Sequence, residues 1–365
     1  MKKTGNRKAA LLTVCCFAAG CFSGCAQQVS ESKTASLIGS SVESTVSSSS
    51  EKEGAPEIVA PHFYDVDLSS VSVTTSEEST DNSQISADIH EDDSVDKTVQ
   101  SGEEFVIAEG ETYTVDEGSR LVCESGGRIT VSPNAEFIVN GSVQLDGEME
   151  LSGGGYLGIG KNAAVDGSGS LKVLDSFDDI DCEGSCKVKI TPPDPVDDNG
   201  CTRVGGVLIA NKRYSLPEDY APGLEDEVVE ALEEMRLDSG YAYEIVSGFR
   251  DYDSQKRNFD WWCEQDGYDA AITYSAPPGH SEHQTGLTMD LDSLEESYGK
   301  TPEGIWLAEN CHKYGFIIRY PEGKENITGY TYEPWHVRYL GKSTAKLVFD
   351  SGLTLEEFLD VSGVL

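Results

Sequence analysis

Positive charge is scarce in this 365-residue chain: 27 Lys and Arg stand against 65 Asp and Glu, a formal net charge of −38. A surface of that sign repels phosphates, so nucleic acid is excluded as a partner on Coulombic grounds. Long apolar runs are missing too. No stretch reaches the roughly 18 apolar residues of a membrane-spanning helix, so no transmembrane helix is expected. Hydrophobic residues make up only 38% of the chain, beside 37 Gly, too few for the whole length to pack. Paired metal-binding cysteine motifs are also lacking. Cys182 and Cys186 have no second Cys pair or His pair beside them, so solvated or paired thiols are expected there rather than zinc ligands.

What is present begins with a basic head, Met1-Lys2-Lys3 through Lys8, and an apolar run from Ala9 to Gly20. That is the pattern of an export signal. The run ends in Ala18-Ala19-Gly20-Cys21 and then Phe22-Ser23-Gly24-Cys25, each resembling a bacterial lipobox. Cys25 is the preferred lipid-bearing residue because it leaves the longer apolar core; Cys21 is the alternative, and cleavage without lipid the third reading. The expectation is a signal peptide over 1–25 and an exported lipoprotein, anchored to the outer face of a bacterial membrane and facing the wall. Six cysteines follow the signal: Cys123, Cys182, Cys186, Cys201, Cys263 and Cys311. The sequence does not choose among their pairings.

Between 31 and 100 there are 15 acidic residues against Lys33, Lys52 and Lys97, among many Ser and Thr. Such a segment cannot bury enough apolar area to offset ordering, so 26–100 is predicted to be a disordered tether. At 101–190 the texture changes to short alternating segments between Gly or Asn turns: 112–115, 128–131, 136–139, 142–145 and 148–151. Period-two alternation at near-constant spacing predicts an all-β, Gly-rich solenoid of stacked rungs, with a β-sandwich as the alternative. Its expected use is as a spacer or wall-binding module. Thr191-Pro192-Pro193-Asp194-Pro195 marks a stiff junction over 191–200. Beyond it, 201–365 reads as an α+β domain. Leu224, Val228, Ala231, Leu232 and Met235 recur at helical spacing, and 243–249 reads as a strand. Asp251 can cap a helix through Phe259 and Trp262, and Pro302 and Gly315 bracket another.

Two clusters carry candidate chemistry. In Ser281-Glu282-His283-Gln284-Thr285-Gly286-Leu287-Thr288-Met289-Asp290, Gly286 permits a turn, and the tail reads as a strand with Thr288 and Asp290 on one face. Asp290 can then stand beside His283. In Glu333-Pro334-Trp335-His336-Val337-Arg338-Tyr339, His336 and Arg338 share a face. His283, Asp290 and His336 would supply three ligands with a fourth position open, the pattern of catalytic zinc, and Glu333 is placed to move a proton from bound water to a leaving amine. Spacing alone leaves this open, because a His near an Asp also serves as an ordinary hydrogen-bonded residue. His280 reads as a surface residue, His312 as solvated, Asp292 as a turn or outer residue, and the acids of 225–234 as a solvated face.

These blocks resemble the VanY-like D-Ala-D-Ala carboxypeptidases, zinc metallopeptidases of the lysostaphin, D-Ala-D-Ala peptidase and hedgehog fold group. The resemblance runs over most of 201–360. It rests also on Asn211 to Tyr220, Ser247-Gly248-Phe249-Arg250 with Gln255, Trp306 to Asn310, and Tyr314 to Pro321. It implies a central, mainly antiparallel sheet flanked by helices. It further implies Zn2+ on His283, Asp290 and His336, with Glu333 as catalytic base. Arg250 would hold a substrate carboxylate or the oxyanion, and Ser281 and Gln255 would hydrogen-bond the terminal residue. Two departures stand out: Thr288 replaces a usual Ala on the site face, and Asp251 replaces a usual Ser and is read as the helix cap. The implied function is a zinc D,D-carboxypeptidase trimming the C-terminal D-Ala from peptidoglycan stem peptides. The rivals are L,D-carboxypeptidase action on tetrapeptide stems and a non-catalytic wall-binding protein.

Overall fold

The structure, a computed structural model, describes residues 95–364. The signal stretch with Cys21 and Cys25, and the tether up to residue 94, lie outside the described residues. Among the described residues no helix is long and apolar enough to cross a membrane.

The first body is a parallel β-solenoid of about four turns. One face stacks Val95–Val99, Arg120–Cys123, Ser142–Leu145 and the starts of Ala164–Val173 and Ser185–Thr191, whose ends pair on the second face. A second face stacks Glu104–Ile107, Arg128–Val131, Glu148–Leu151 and the end of Ala164–Val173. The third stacks Thr112–Val115, Glu136–Val139, Tyr156–Ile159 and Ile180–Cys182. Alternation turns Leu121, Val143, Val165, Ile129, Met149, Phe137 and Leu157 inward, where all are buried. Gly127, Gly147 and Gly169 stack at one corner. A Cβ on Gly147 would sit 2.2 Å from the Gly127 carbonyl oxygen, and one on Gly169 2.1 Å from that of Gly147, so the bend admits only glycine.

The solenoid differs from the sequence reading in three places. Its first strand, Val95–Val99, lies inside the stretch read as tether; only Val99 of that strand is buried, so its hydrophobic pattern is faint. The junction 191–200 contains strand Val196–Asp198, which opens an antiparallel three-stranded sheet with Cys201–Val204 and Val207–Ile209. Cys182 and Cys186 are neither solvated nor paired: both face the core, and all six described cysteines are free. Burial pushes the Cys186 thiol up to about 12 and that of Cys182 to about 11.

Solenoid and C-terminal domain share one hydrophobic core, in which Phe177, Ile180, Cys182 and Val188 join Leu347, Val348, Leu355 and Phe358. The Phe177 and Phe358 rings are 5.2 Å apart. Helix Lys342–Ser351 covers the last rung, where Ser343 Oγ accepts from Cys182 N at 3.1 Å and Asp350 from Cys186 N at 3.4 Å. Deleting the chain up to residue 190 uncovers this core, so a 191–365 fragment is expected to aggregate where 95–365 stays soluble. Sedimentation of the two fragments checks this; a monodisperse 191–365 would contradict it.

The C-terminal domain is built on a four-stranded antiparallel sheet in the order Ile245–Ser247, Thr288–Leu291, Glu333–Tyr339, Phe316–Tyr320. Met289, Leu291, Val337 and Phe316 pack against Val228, Leu232 and Met235 of helix Asp226–Ser239 and Leu307 of helix Pro302–Asn310. The alternate residues, including Asp290, His336 and Arg338, face the other way. The strand read over 243–249 shrinks to Ile245–Ser247, because Tyr243 adopts φ 43° and buries its ring among the helices. Asp251 caps helix Tyr252–Asp266, accepting from Ser254 N at 2.7 Å.

Candidate metal centre

The register sets Asp290 directly opposite His336 on adjacent strands, which brings together residues far apart in sequence. His283 arrives from the 3₁₀ turn Glu282–Thr285. Ser281 caps that turn, its Oγ accepting from His283 N at 3.3 Å, and Gly286 ends it at φ 76°. A Cβ on Gly286 would meet the Gly223 carbonyl oxygen at 2.1 Å, so both the conformation and the close approach require glycine. One ligand atom each from His283, Asp290 and His336 lies within 4.8 Å of the others, and all three residues are buried.

The donor set fits a cation. His283 Nδ1 lies 2.8 Å from the Gly248 carbonyl oxygen, which only accepts, so Nδ1 carries a proton; when Nε2 is unprotonated, its lone pair faces Asp290 Oδ2 at 3.2 Å. Two electron-pair donors face each other there, an arrangement that a cation between them relieves. His336 Nδ1 stands 3.2 Å from both Asp290 Oδ1 and Glu333 Oε2. Asp290 Oδ1 is buried without a hydrogen-bond partner among the described residues. Burial would lift the Asp290 carboxyl, but the His283 and His336 rings hold it well below the ordinary carboxylate range. Burial would likewise lower His336, yet Asp290, Glu282 and Glu333 hold it well above the ordinary imidazole range. Two imidazole nitrogens, one carboxylate and an exposed side on a cleft are the donors zinc takes.

The cleft has a volume of about 640 Å³, and Arg250, Gln255, Ser281 and Glu333 line it with the three metal-site residues. Arg250 is fixed by its own N–H, which donates to His283 O at 3.2 Å. Its Nε is buried without a partner among the described residues. Burial lowers the guanidinium pKa against the pull of Asp290 and Glu333, leaving a cation poised for an anion. All seven residues singled out in the sequence thus reach one site.

Glu282, Arg319 and Arg338, to which no role was given, form the buried base beneath it. Glu282 Oε1 accepts from Arg319 Nε at 2.7 Å and Arg338 Nη1 at 2.9 Å, while its Oε2 stands 3.8 Å from His336 Nε2. Arg319 also forks onto Glu356 at 2.8 and 2.5 Å. Burial would raise the Glu282 carboxyl, but Arg319 and Arg338 hold it well below its usual range. The visible signal was an arginine within the apolar strand Phe316–Tyr320 and another sharing the face of His336. Thr288, expected on the site face, shares that face with Asp290 but lies beneath the cleft rather than on it; it is buried and its hydroxyl donates to Glu282 Oε2 at 3.3 Å.

Asp292 is a turn residue, at φ 60°, accepting from Glu244 N and Tyr298 Oη. His280 is half-buried against the Asn211 carbonyl oxygen at 2.7 Å rather than on the surface. His312 is not solvated: its buried ring stacks on Phe349 at 3.7 Å, because the turn Cys311–Tyr314 packs beneath helix Lys342–Ser351. Burial, with Lys313 and Lys346 nearby, pushes its pKa from 6.5 to about 4 despite Asp350. Between those values the unfolded chain holds the extra proton, so stability is full above pH 6.5 and about 2–3 kcal/mol is lost as pH falls toward 4. His312→Phe keeps the stack and removes the proton site. Its urea midpoint is expected to drop less than the wild type's between pH 7 and 4.5, and equal drops would refute this.

A family model described as VanY, D-alanyl-D-alanine carboxypeptidase, matches residues 222–342. The putative carboxypeptidase YodJ of Bacillus subtilis is 42% identical over 42% of this chain and 67% of its own length. A D-alanyl-D-alanine carboxypeptidase of Enterococcus faecium is 37% identical over 38% of this chain and 44% of its own. The chain thus spans less than half of the second relative. Among solved structures, an L,D-carboxypeptidase, DacB of Streptococcus pneumoniae, is 36% identical over 47% of this chain and 97% of that one, with TM-score 0.42. A VanY D,D-pentapeptidase mutant in complex with Zn(II) is 31% identical over 41% and 97%, with TM-score 0.37. By the family model over 222–342 and the 42% identity to YodJ over two thirds of that relative's length, the chain belongs to the VanY D-alanyl-D-alanine carboxypeptidase family.

Proposed function

We propose that this protein is a zinc carboxypeptidase that removes the C-terminal D-alanine of peptidoglycan stem peptides, held at the outer face of the membrane by a lipid on Cys25. The observation that carries the reading is the convergence of His283, Asp290 and His336 within 4.8 Å on a cleft that also holds Glu333 and Arg250. A zinc ion on those three residues would supply a Lewis acid and an acidified water.

The chain's own groups do the rest. Glu333, 3.2 Å from His336 Nδ1, takes a proton from the attacking water and delivers it to the leaving nitrogen. Arg250 offsets negative charge on the substrate, either the free carboxylate or the developing oxyanion. Ser281 keeps its hydroxyl proton while its oxygen accepts from His283 N, so it remains a donor to the terminal residue. The solenoid, fused to the domain through a shared core, acts as a rigid spacer toward the wall.

The test is mass spectrometry of the full chain on a stem pentapeptide ending D-Ala-D-Ala and on the matching tetrapeptide, with zinc and then with a chelator. Chelator-sensitive loss of one alanine from the pentapeptide is expected. Loss from the tetrapeptide alone would replace D,D by L,D selectivity, and no loss from either would leave a wall-binding protein.

A further inference from the structure

Large aromatic side chains are mostly buried on folding, yet helix Tyr252–Asp266 carries Trp261 at 50% exposure beside a partly buried Trp262. The two rings meet edge to face at 4.5 Å, and Trp262 meets Tyr274 in the same manner at 5.3 Å. Tyr274 is pinned in turn by its hydroxyl, which donates to Asp266 Oδ2 at 2.6 Å. None of the three joins a hydrophobic core among the described residues. Three rings held in fixed relation at the surface form a patch that the packing of the fold does not require, the mark of an interaction surface.

The patch is continuous with the cleft. Trp262 and Tyr274 line the cleft together with Gln255 and Asn258, and Gln255, Asn258 and Trp262 share one helix face at spacing i, i+3, i+7. The start of that helix is tied to the metal centre, where Arg250 N donates to His283 O at 3.2 Å. At 1.5 Å per residue, Trp262 lies about 10 Å along the axis from Gln255. An extended stem of five residues is about 16 Å long, so the group at its far end reaches the rings while its last residue occupies the metal centre.

Charge decides which partner fits. Between 258 and 276 stand Asp260, Glu264, Asp266 and Asp269 with no Lys or Arg, and the neighbouring Lys256 is already engaged by Asp260 at 2.5 Å. Acids around the rings repel anionic polymers and anionic lipid headgroups, while their oxygens accept from hydroxyls. A neutral pyranose offers both matching surfaces: C–H faces that pack on aromatic rings, and hydroxyls for the carboxylates. We propose that Trp261, Trp262 and Tyr274 form a saccharide platform for the N-acetylated sugar that bears the stem, so that the substrate is the glycan-attached stem rather than the peptide alone. This rests on the carboxypeptidase reading and adds to it a recognition element outside the metal centre.

The experiment compares the full chain on the free stem peptide and on the same stem amide-linked to N-acetylmuramic acid. The wild type is expected to show kcat/KM about 10-fold higher on the sugar-bearing stem, with the difference in KM. Trp261→Ala and Trp262→Ala are expected to bring that ratio to within about twofold of one, and Trp262→Tyr, which keeps a ring, to retain most of it. Misfolding lowers both rates together, whereas a lost platform lowers only one, and Trp261 is exposed enough for its variant to fold. A wild-type ratio near one, or a ratio unchanged in both alanine variants, would overturn the platform while leaving the carboxypeptidase intact. So would tryptophan-dependent sedimentation with phosphatidylglycerol vesicles in place of the sugar preference, which would make the patch a membrane contact. A wild type inactive on free and sugar-bearing stems alike would overturn both.

Discussion

Glu333→Gln is expected to lower kcat about 10³-fold while zinc content stays at the wild-type level. The substitution keeps size and hydrogen-bonding reach but removes the ability to hold a proton. Glu333 stands 3.2 Å from His336 Nδ1 yet is not one of the three residues whose ligand atoms converge, so loss of activity need not mean loss of metal. Asp290→Asn is the contrast. It weakens the donor facing both imidazoles and is expected to reduce bound zinc together with activity. Turnover on the stem peptide and metal analysis of the same samples separate the two effects. A Glu333→Gln enzyme retaining a tenth of wild-type turnover would remove Glu333 from the proton-transfer step.

The second large effect is on stability. Glu282→Ala strips the carboxylate that Arg319 and Arg338 share, leaving buried guanidinium charge with Glu356 as its remaining carboxylate partner. Breaking a buried pair from one side costs about 3–5 kcal/mol, since the desolvated partner stays behind. For a body of this size that corresponds to a fall in Tm of about 10 °C. Thr288→Ala, which deletes only a 3.3 Å hydrogen bond to the same carboxylate, is expected to cost about 1 kcal/mol. Thermal unfolding of both variants checks the ranking, and similar Tm values would show that the network carries little of the fold.

The parts legible in the sequence were those whose signals are local. All five solenoid segments read from alternation occupy the strands observed, because period two and glycine corners act over a few residues. Rungs with weaker contrast escaped notice, as at Val95–Val99, where acid and Ser neighbours mask one buried valine. The Asp251 cap and the Gly286 turn were readable for the same reason. His312 was misread because its helical neighbours are polar while its partner, Phe349, comes from a later helix. Cys182 and Cys186 were misread because their spacing resembles a thiol pair, whereas strand alternation sends both into the core.

The sequence by itself determined the stacked β-rungs, and it offered the export signal and the seven candidate site residues as expectations, since each is written in short patterns or in the family motif. Only the tertiary structure decided what those residues stand on and what surrounds them. Strand pairing put Asp290 opposite His336, and two arginines from separate strands converged on Glu282. The last solenoid rung and helix Lys342–Ser351 closed one core between two segments that composition had divided. Each is a contact between residues distant along the chain, whose partners are chosen by burial and charge in three dimensions and leave no periodic trace in one.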